Sequence, residues 1–130
     1  RDRSPSRGLG DVYKRQAQVQ RWFSVAAGQL AFGPAAARVF ALFGRPDDPS
    51  EVRKRAHALF EVMEQHLATR PFLVGESATL ADIANYAYVA HAPEGGVSLD
   101  PYPHVRQWLA RVEALPGFVP MVRSPIALAA

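Results

Sequence analysis

The side chains of this chain that could do chemistry are few, and His91 with Glu94 is the first pair to weigh. An imidazole and a carboxylate three residues apart could each ligate zinc. A protein zinc site takes at least three protein ligands, however, and no third ligand is evident beside them. A histidine at the C-terminal end of a helix, favoured by the helix dipole, explains this pair more simply.

A second group lies on one predicted helix, where His57 and Glu61 are four residues apart and His66 lies further along. The helical zinc motif instead has two histidines four residues apart with a glutamate between them. A solvated helix face is therefore the better interpretation. The run Arg53-Lys54-Arg55 is balanced by nearby acidic residues and is interpreted in the same way.

Other catalytic patterns are missing from the sequence. It has no glycine-rich phosphate loop, no Gly-x-Ser-x-Gly turn and no pair of active carboxylates. It also has no cysteine, so it has no disulfide, thiolate ligand or cysteine nucleophile, which fits a cytoplasmic protein. The sequence thus predicts no catalytic residue, no metal and no cofactor.

Length, composition and charge limit the number of domains and the kinds of partner. The 130 residues are 48% hydrophobic, which suits one globular domain with a core of its own. No uninterrupted apolar run approaches the roughly 20 residues of a membrane span. The net charge of +3 belongs to residues 1–16, while the rest of the chain is balanced. Because no basic stripe follows a helix, we expect no nucleic-acid and no membrane partner.

Residues 1–16 and 17–125 differ in character. The first segment is rich in Ser, Gly and Arg and is predicted to be a disordered or non-native tail. The second has helical spacing of apolar residues and no strand alternation, and its first helix is expected to kink at Gly33-Pro34. We predict an all-α fold, an orthogonal bundle of about five to six helices.

The spacing also predicts which side chains face the core. These are Val19, Trp22, Phe23, Ala26, Ala27 and Leu30 on the first helix; Val52, Ala56, Leu59, Phe60, Met63 and Leu67 on the next; Leu80, Ile83, Ala84, Ala87 and Ala90 on the third; and Tyr102, Val105, Trp108, Leu109 and Val112 on the last.

Thr79 and Asp82 predict where the third of these helices begins. They form a capping box in its aspartate form, in which the Thr79 side chain accepts from the N–H of the third helical residue. The Asp82 carboxylate accepts in return from the N–H of Thr79. Its charge also lies at the positive end of the helix dipole.

The longer unit Gly75-x-x-x-Thr79-x-Ala81-Asp82-Ile83-Ala84 resembles the core of the all-helical C-terminal domain of glutathione transferases. Gln20–Gly33 resembles the first helix of that domain in bacterial members, and Tyr102–Phe118 resembles a late helix of it. The three segments occur in the order expected for the family.

The resemblance implies a function shared with another domain. In this family a thioredoxin-like N-terminal domain binds glutathione and activates its thiol, because the thiolate is the nucleophile. The sequence is expected to be truncated before that domain. The implied partners are a small apolar electrophile, glutathione as co-substrate through the missing domain, and a second subunit in a full-length homodimer.

The resemblance also implies where the electrophile would bind. Bacterial beta-type enzymes often carry a His-Lys pair just before the glycine of the first helix, whereas Ala31 and Phe32 stand here. Ala31, Phe32 and Gly28 are therefore expected to bind substrate in a more apolar pocket. Phe32 as an ordinary core residue is equally compatible with the sequence.

Two other functions are compatible with such a helical domain. One is a non-catalytic interaction or scaffold module with the same fold. The other, a ligand-binding core of a transcription regulator, is disfavoured because no helix-turn-helix with a basic recognition helix precedes it.

Overall fold

The computed structural model describes residues 5–43 and 48–123, which are helical or loop and include no strand. The helices are α1 (Pro5–Val25), a π-helical stretch (Ala26–Ala35), α2 (Ala36–Phe43), α3 (Ser50–Leu67), α4 (Leu80–Ala90), a short 3-10 helix (Ala92–Gly95) and α5 (Pro103–Glu113). The predicted all-α fold is confirmed. Because α1, the π-helical stretch and α2 follow one another directly, the described residues form four continuous long helices, slightly fewer than predicted.

The first long helix continues through the glycine and proline at which it was expected to kink. Both Gly33 and Pro34 lie inside the π-helical stretch, where hydrogen bonds reach one residue further than in an α-helix. Gly33 allows a close approach to α3, since a Cβ there would lie 3.4 Å from the backbone nitrogen of Ala56. The helix therefore accommodates Gly33 and Pro34 by changing from α-helical to π-helical hydrogen bonding.

By length and composition alone, the helix Leu9–Phe43 could cross a membrane, a test that core helices of globular proteins also pass. Here its central residues Trp22, Ala26 and Leu30 are buried against the rest of the domain, as the spacing predicted, whereas Ala27, assigned to the same face, is exposed.

The start of this helix differs from the prediction of a disordered tail. Residues 5–16 form the first part of α1, while residues 1–4 lie outside the described residues. The side chains of residues 9–18 are all exposed, so burial in the core does not hold this part of the helix. That the segment is non-native remains a prediction.

The core takes buried side chains from all four long helices, and those of α3 and α5 follow the predicted spacing. The predicted faces of both helices are confirmed, with Phe60 and Met63 on α3 and Val105, Trp108 and Val112 on α5 fully buried.

The predicted face of α4 is wrong at Leu80 and Ile83, although Ala90 is buried as expected. Leu80 and Ile83 are 68% and 53% exposed, and the buried side includes Asp82, Asn85 and Tyr86. Counting apolar residues selected the wrong side because α4 buries two polar side chains that form hydrogen bonds inside the domain.

Asp82 is the more highly connected of these polar residues. The predicted capping box is confirmed: the Thr79 hydroxyl accepts from the N–H of Ala81 at 3.2 Å, and Asp82 Oδ2 accepts from the N–H of Thr79 at 2.9 Å. Its other oxygen, Oδ1, accepts from the N–H of Leu73 at 2.9 Å and from the indole N–H of Trp108 at 2.7 Å. One fully buried carboxylate thus joins the loop before α4, the start of α4 and α5.

The two halves of the capping box should therefore contribute unequally to stability. Thr79→Ala should lower the free energy of unfolding by about 0.5–2 kcal/mol, as expected for a lost N-cap. Asp82→Ala should lower it by about 3–5 kcal/mol, because the N–H groups of Leu73, Thr79 and Trp108 each lose an acceptor, at roughly 1–3 kcal/mol for each donor left unpaired.

Chemical denaturation of both variants measures this difference. Glu76→Ala, a matched loss of an exposed carboxylate in the same loop, should leave the midpoint unchanged. If Asp82→Ala cost no more than Thr79→Ala, the buried carboxylate would not join these three segments.

Candidate functional site

An apolar groove of about 600 Å³ opens between the π-helical stretch and α3. This volume is within the range of small-molecule sites. Phe32 and Val62 stand on its two sides and are 69% and 61% exposed. The lining residues are Gly28, Gln29 and Phe32 from the stretch and Arg55, Ala58, Leu59 and Val62 from α3.

The groove follows from the way the stretch packs on α3. Leu30 and Gly33 are buried and hold one side of the stretch against the core. The neighbouring residues Gly28 and Phe32 then line the groove. Because Gly28 has no side chain, it leaves room where any other residue would project a Cβ.

The polar groups among the lining residues are the Gln29 amide and the Arg55 guanidinium. The other lining residues offer carbon surface or backbone. This composition suits a small apolar molecule that carries one anionic or hydrogen-bonding group.

Two of the three predicted substrate-binding residues lie together in this groove. Gly28 and Phe32 line it, and the exposure of Phe32 shows that it is not part of the buried core. Ala31 is half-buried and is not among the lining residues. The residues on α3 were missed, although Val62 is an apolar residue outside the predicted buried face of α3, which was a signal for an exposed apolar position.

The pair His91 and Glu94 has a structural role. His91 ends α4, as predicted, and its Nδ1 lies 2.5 Å from Glu94 Oε2. The same carboxylate oxygen accepts from Arg38 Nε of α2 at 2.8 Å. Among the described residues, no group of three or more His, Cys, Asp or Glu side chains could hold a metal ion.

The prediction of a solvated face is wrong for the two histidines of α3. Nδ1 of His57 lies 2.7 Å from the Tyr102 hydroxyl, and Nε2 of His66 lies 2.8 Å from the Leu73 carbonyl. Burial lowers the pKa of His66 below its usual value. Glu61 on the same helix is exposed, as predicted.

The basic run on α3 is only partly solvated. Lys54 and Arg55 are exposed, as predicted. Arg53 is half-buried, and its Nε donates to the Gly95 carbonyl at 3.0 Å. The prediction was therefore wrong for Arg53, which ties α3 to the 3-10 helix.

Glu64 is a further connection that the sequence did not reveal. Its carboxylate accepts from the backbone N–H groups of His104 and Val105 at 2.9 and 3.0 Å and so caps α5 from α3. Burial alone would raise the pKa of Glu64, but these N–H donors hold it below its usual value. No local pattern marks such a cap, because donor and acceptor are about 40 residues apart.

Comparison with known proteins places these features in a family. Residues 22–116 match the glutathione S-transferase C-terminal domain. Among solved structures, a glutathione S-transferase from Pseudomonas fluorescens is 37% identical, with a TM-score of 0.77 over 82% of this chain and 56% of that one. A glutathione S-transferase from Xanthobacter autotrophicus is 33% identical, with a TM-score of 0.76 over 86% and 56% of the two chains.

Curated relatives include two kinds of protein. Elongation factor 1-gamma from Carassius auratus is 30% identical over 116 residues, which are 84% of this chain and 26% of that protein. Glutathione S-transferase 3 from Zea mays is 34% identical over 116 residues, 78% of this chain and 50% of that protein. The chain thus spans about a quarter of the first relative and half of the second. Since the family match covers well over half of its residues, this chain belongs to the glutathione S-transferase family through the family's C-terminal helical domain.

Proposed function

We propose that this domain binds the electrophile for a glutathione transferase, in which a thioredoxin-like domain supplies glutathione. The observation that carries the proposal is the apolar groove between the π-helical stretch and α3, with Phe32 and Val62 exposed on its sides. A full-length homodimer in the cytoplasm, with no nucleic-acid or membrane partner, is part of the same proposal and follows from the family resemblance and the charge distribution.

The groove would contribute by holding the electrophile in place. In the reaction the glutathione thiolate attacks the electrophilic carbon, a C–S bond forms, and the leaving group departs with its electron pair. Contact with apolar walls stabilises a bound aromatic substrate by about 25 cal/mol per Å² of apolar surface removed from water. A substrate held in a fixed position also lowers the activation barrier, because the entropy of bringing two molecules together is lost on binding and not in the reaction step.

Activation of the thiol is assigned to the other domain. Burial raises the pKa of Tyr86 to about 12, and its hydroxyl donates to the Glu113 carboxylate at 2.6 Å. Burial also raises the pKa of Tyr102, whose hydroxyl is paired with His57. Both tyrosines are buried and their hydroxyls are already hydrogen-bonded within the domain, to Glu113 and to His57, so neither is available to donate to a thiolate.

The second candidate function is a non-catalytic interaction module. Its support is the 30% identity with elongation factor 1-gamma over 84% of this chain. The gene sequence encoding the segment before Gln16 discriminates between the two functions. A strand-helix-strand unit with a cis-proline loop would favour the transferase, and a different fused domain would favour the interaction module.

The 130-residue chain by itself should not conjugate glutathione to an aryl halide, because we assign the activation of the thiol to another domain. The assay follows product absorbance with the purified chain, beside an active transferase as a positive control. Turnover above the uncatalysed rate would contradict the assignment.

In the full-length enzyme, Phe32→Ala should weaken binding of aromatic electrophiles by about 1–3 kcal/mol, because an apolar wall of the groove is lost. The affinity for glutathione should barely change, because that site lies on the other domain. Steady-state kinetics with each substrate varied in turn measure both effects.

Phe43→Ala is the matched control, since Phe43 is 75% exposed on the same long helix but does not line the groove. Its KM for the electrophile should equal that of the unmodified enzyme. Equal damage to both KM values by Phe32→Ala, or an equal effect of the two variants, would place the electrophile elsewhere.

A further inference from the structure

Asn85 is a fully buried polar residue of α4 that lies outside the groove. Its Nδ2 donates to the Ala81 carbonyl at 2.7 Å, one turn earlier in the same helix. It also donates to the Trp22 carbonyl of α1 at 3.2 Å. Its other polar atom, Oδ1, has no hydrogen-bond partner among the described residues.

An unpaired buried acceptor lowers stability. A leucine, which has a similar shape, would fill the same space without that loss. An asparagine at position 85 is explained only by what its two donated bonds contribute, and the bond to the Trp22 carbonyl is the one that joins two helices.

The Trp22 carbonyl has a special position in the long helix. In a regular α-helix it would accept from the N–H of Ala26, four residues later. Ala26 is the residue at which the π-helical stretch begins. A side chain that enters the backbone hydrogen-bond ladder is a known cause of local helix distortion. The Asn85 amide thus contacts the last turn of α1, directly before the π-helical stretch begins.

The far end of the stretch is fixed by other means. Pro34 has no N–H to donate, and the backbone of Gly33 packs closely on Ala56 of α3. Gly28 and Phe32 lie between the two ends and line the groove. Because a π-helical turn holds one residue more than an α-helical turn, the point at which the stretch begins sets the directions of these residues.

We infer that Asn85 is a positioning residue that fixes the start of the π-helical stretch and thereby the shape of the groove. It acts through the Trp22 carbonyl without touching the bound molecule. The inference about the stretch stands on backbone geometry, and its consequence for ligand binding rests on the proposed function.

The test compares the full 130-residue chain with its Asn85→Leu variant by NMR. We expect the backbone resonances of residues 26–35 to shift in the variant, together with the carbonyl carbon of Trp22, because the stretch no longer starts at the same place. Val112→Ala, a core change on α5, controls for lost stability and should leave these resonances in place. Asn85→Ala replaces the leucine variant if that variant does not fold.

The second readout is the affinity for anilinonaphthalenesulfonate, an apolar dye with one anionic group that suits the groove beside Arg55. We expect Asn85→Leu to weaken dye binding about tenfold, the low end of the loss caused by one missing apolar contact. Val112→Ala should bind the dye as the unmodified chain does.

Unchanged resonances of residues 26–35 in Asn85→Leu would overturn the inference. Shifted resonances with unchanged dye affinity would overturn the link from Asn85 to the groove. A different result bears on the proposed function: if the Phe32→Ala variant bound the dye as tightly as the unmodified chain, the groove would not be the ligand site. In that case the NMR comparison would still decide the role of Asn85.

Discussion

The carboxylate of Asp82 is the point on which the rest of the structure depends. It is completely buried, and its two oxygens accept hydrogen bonds from the loop before α4, from the start of α4 and from the indole of Trp108 on α5. A buried charge is costly unless it is fully hydrogen-bonded, so these segments must meet in one arrangement. That requirement orients α4, and the orientation of α4 places its buried side chains next to α1.

Polar contacts at long range continue this arrangement. With Asp82 at the start of α4, Asn85 lies one turn later and contacts the Trp22 carbonyl, where the π-helical stretch is about to begin. The stretch then packs against α3 and leaves the groove beside Phe32. The same pattern, a side chain that bonds to the backbone of a distant segment, recurs where Glu64 caps α5. The groove is thus positioned by hydrogen bonds between helices as well as by the apolar core.

How far the sequence predicts this structure depends on the range of the interaction. The capping box of Thr79 and the buried faces of α3 and α5 were predicted correctly, because they depend on residues within a turn or two of one another. The buried face of α4 and the partner of His57 were not, because distant residues determine both. The resemblance implied Gly28 and Phe32 for the site, and both line the groove. The α3 wall of the groove depends on tertiary packing, which the helical pattern does not specify.

The central claim is that the groove between the π-helical stretch and α3 holds the apolar electrophile. The most direct measurement is the set of intermolecular nuclear Overhauser effects between a dinitrobenzene derivative and the labelled chain. We expect contacts from the ligand ring to the Phe32 ring and to the Val62 methyl groups. Contacts confined to the exposed side of α4, at Leu80 and Ile83, would contradict it.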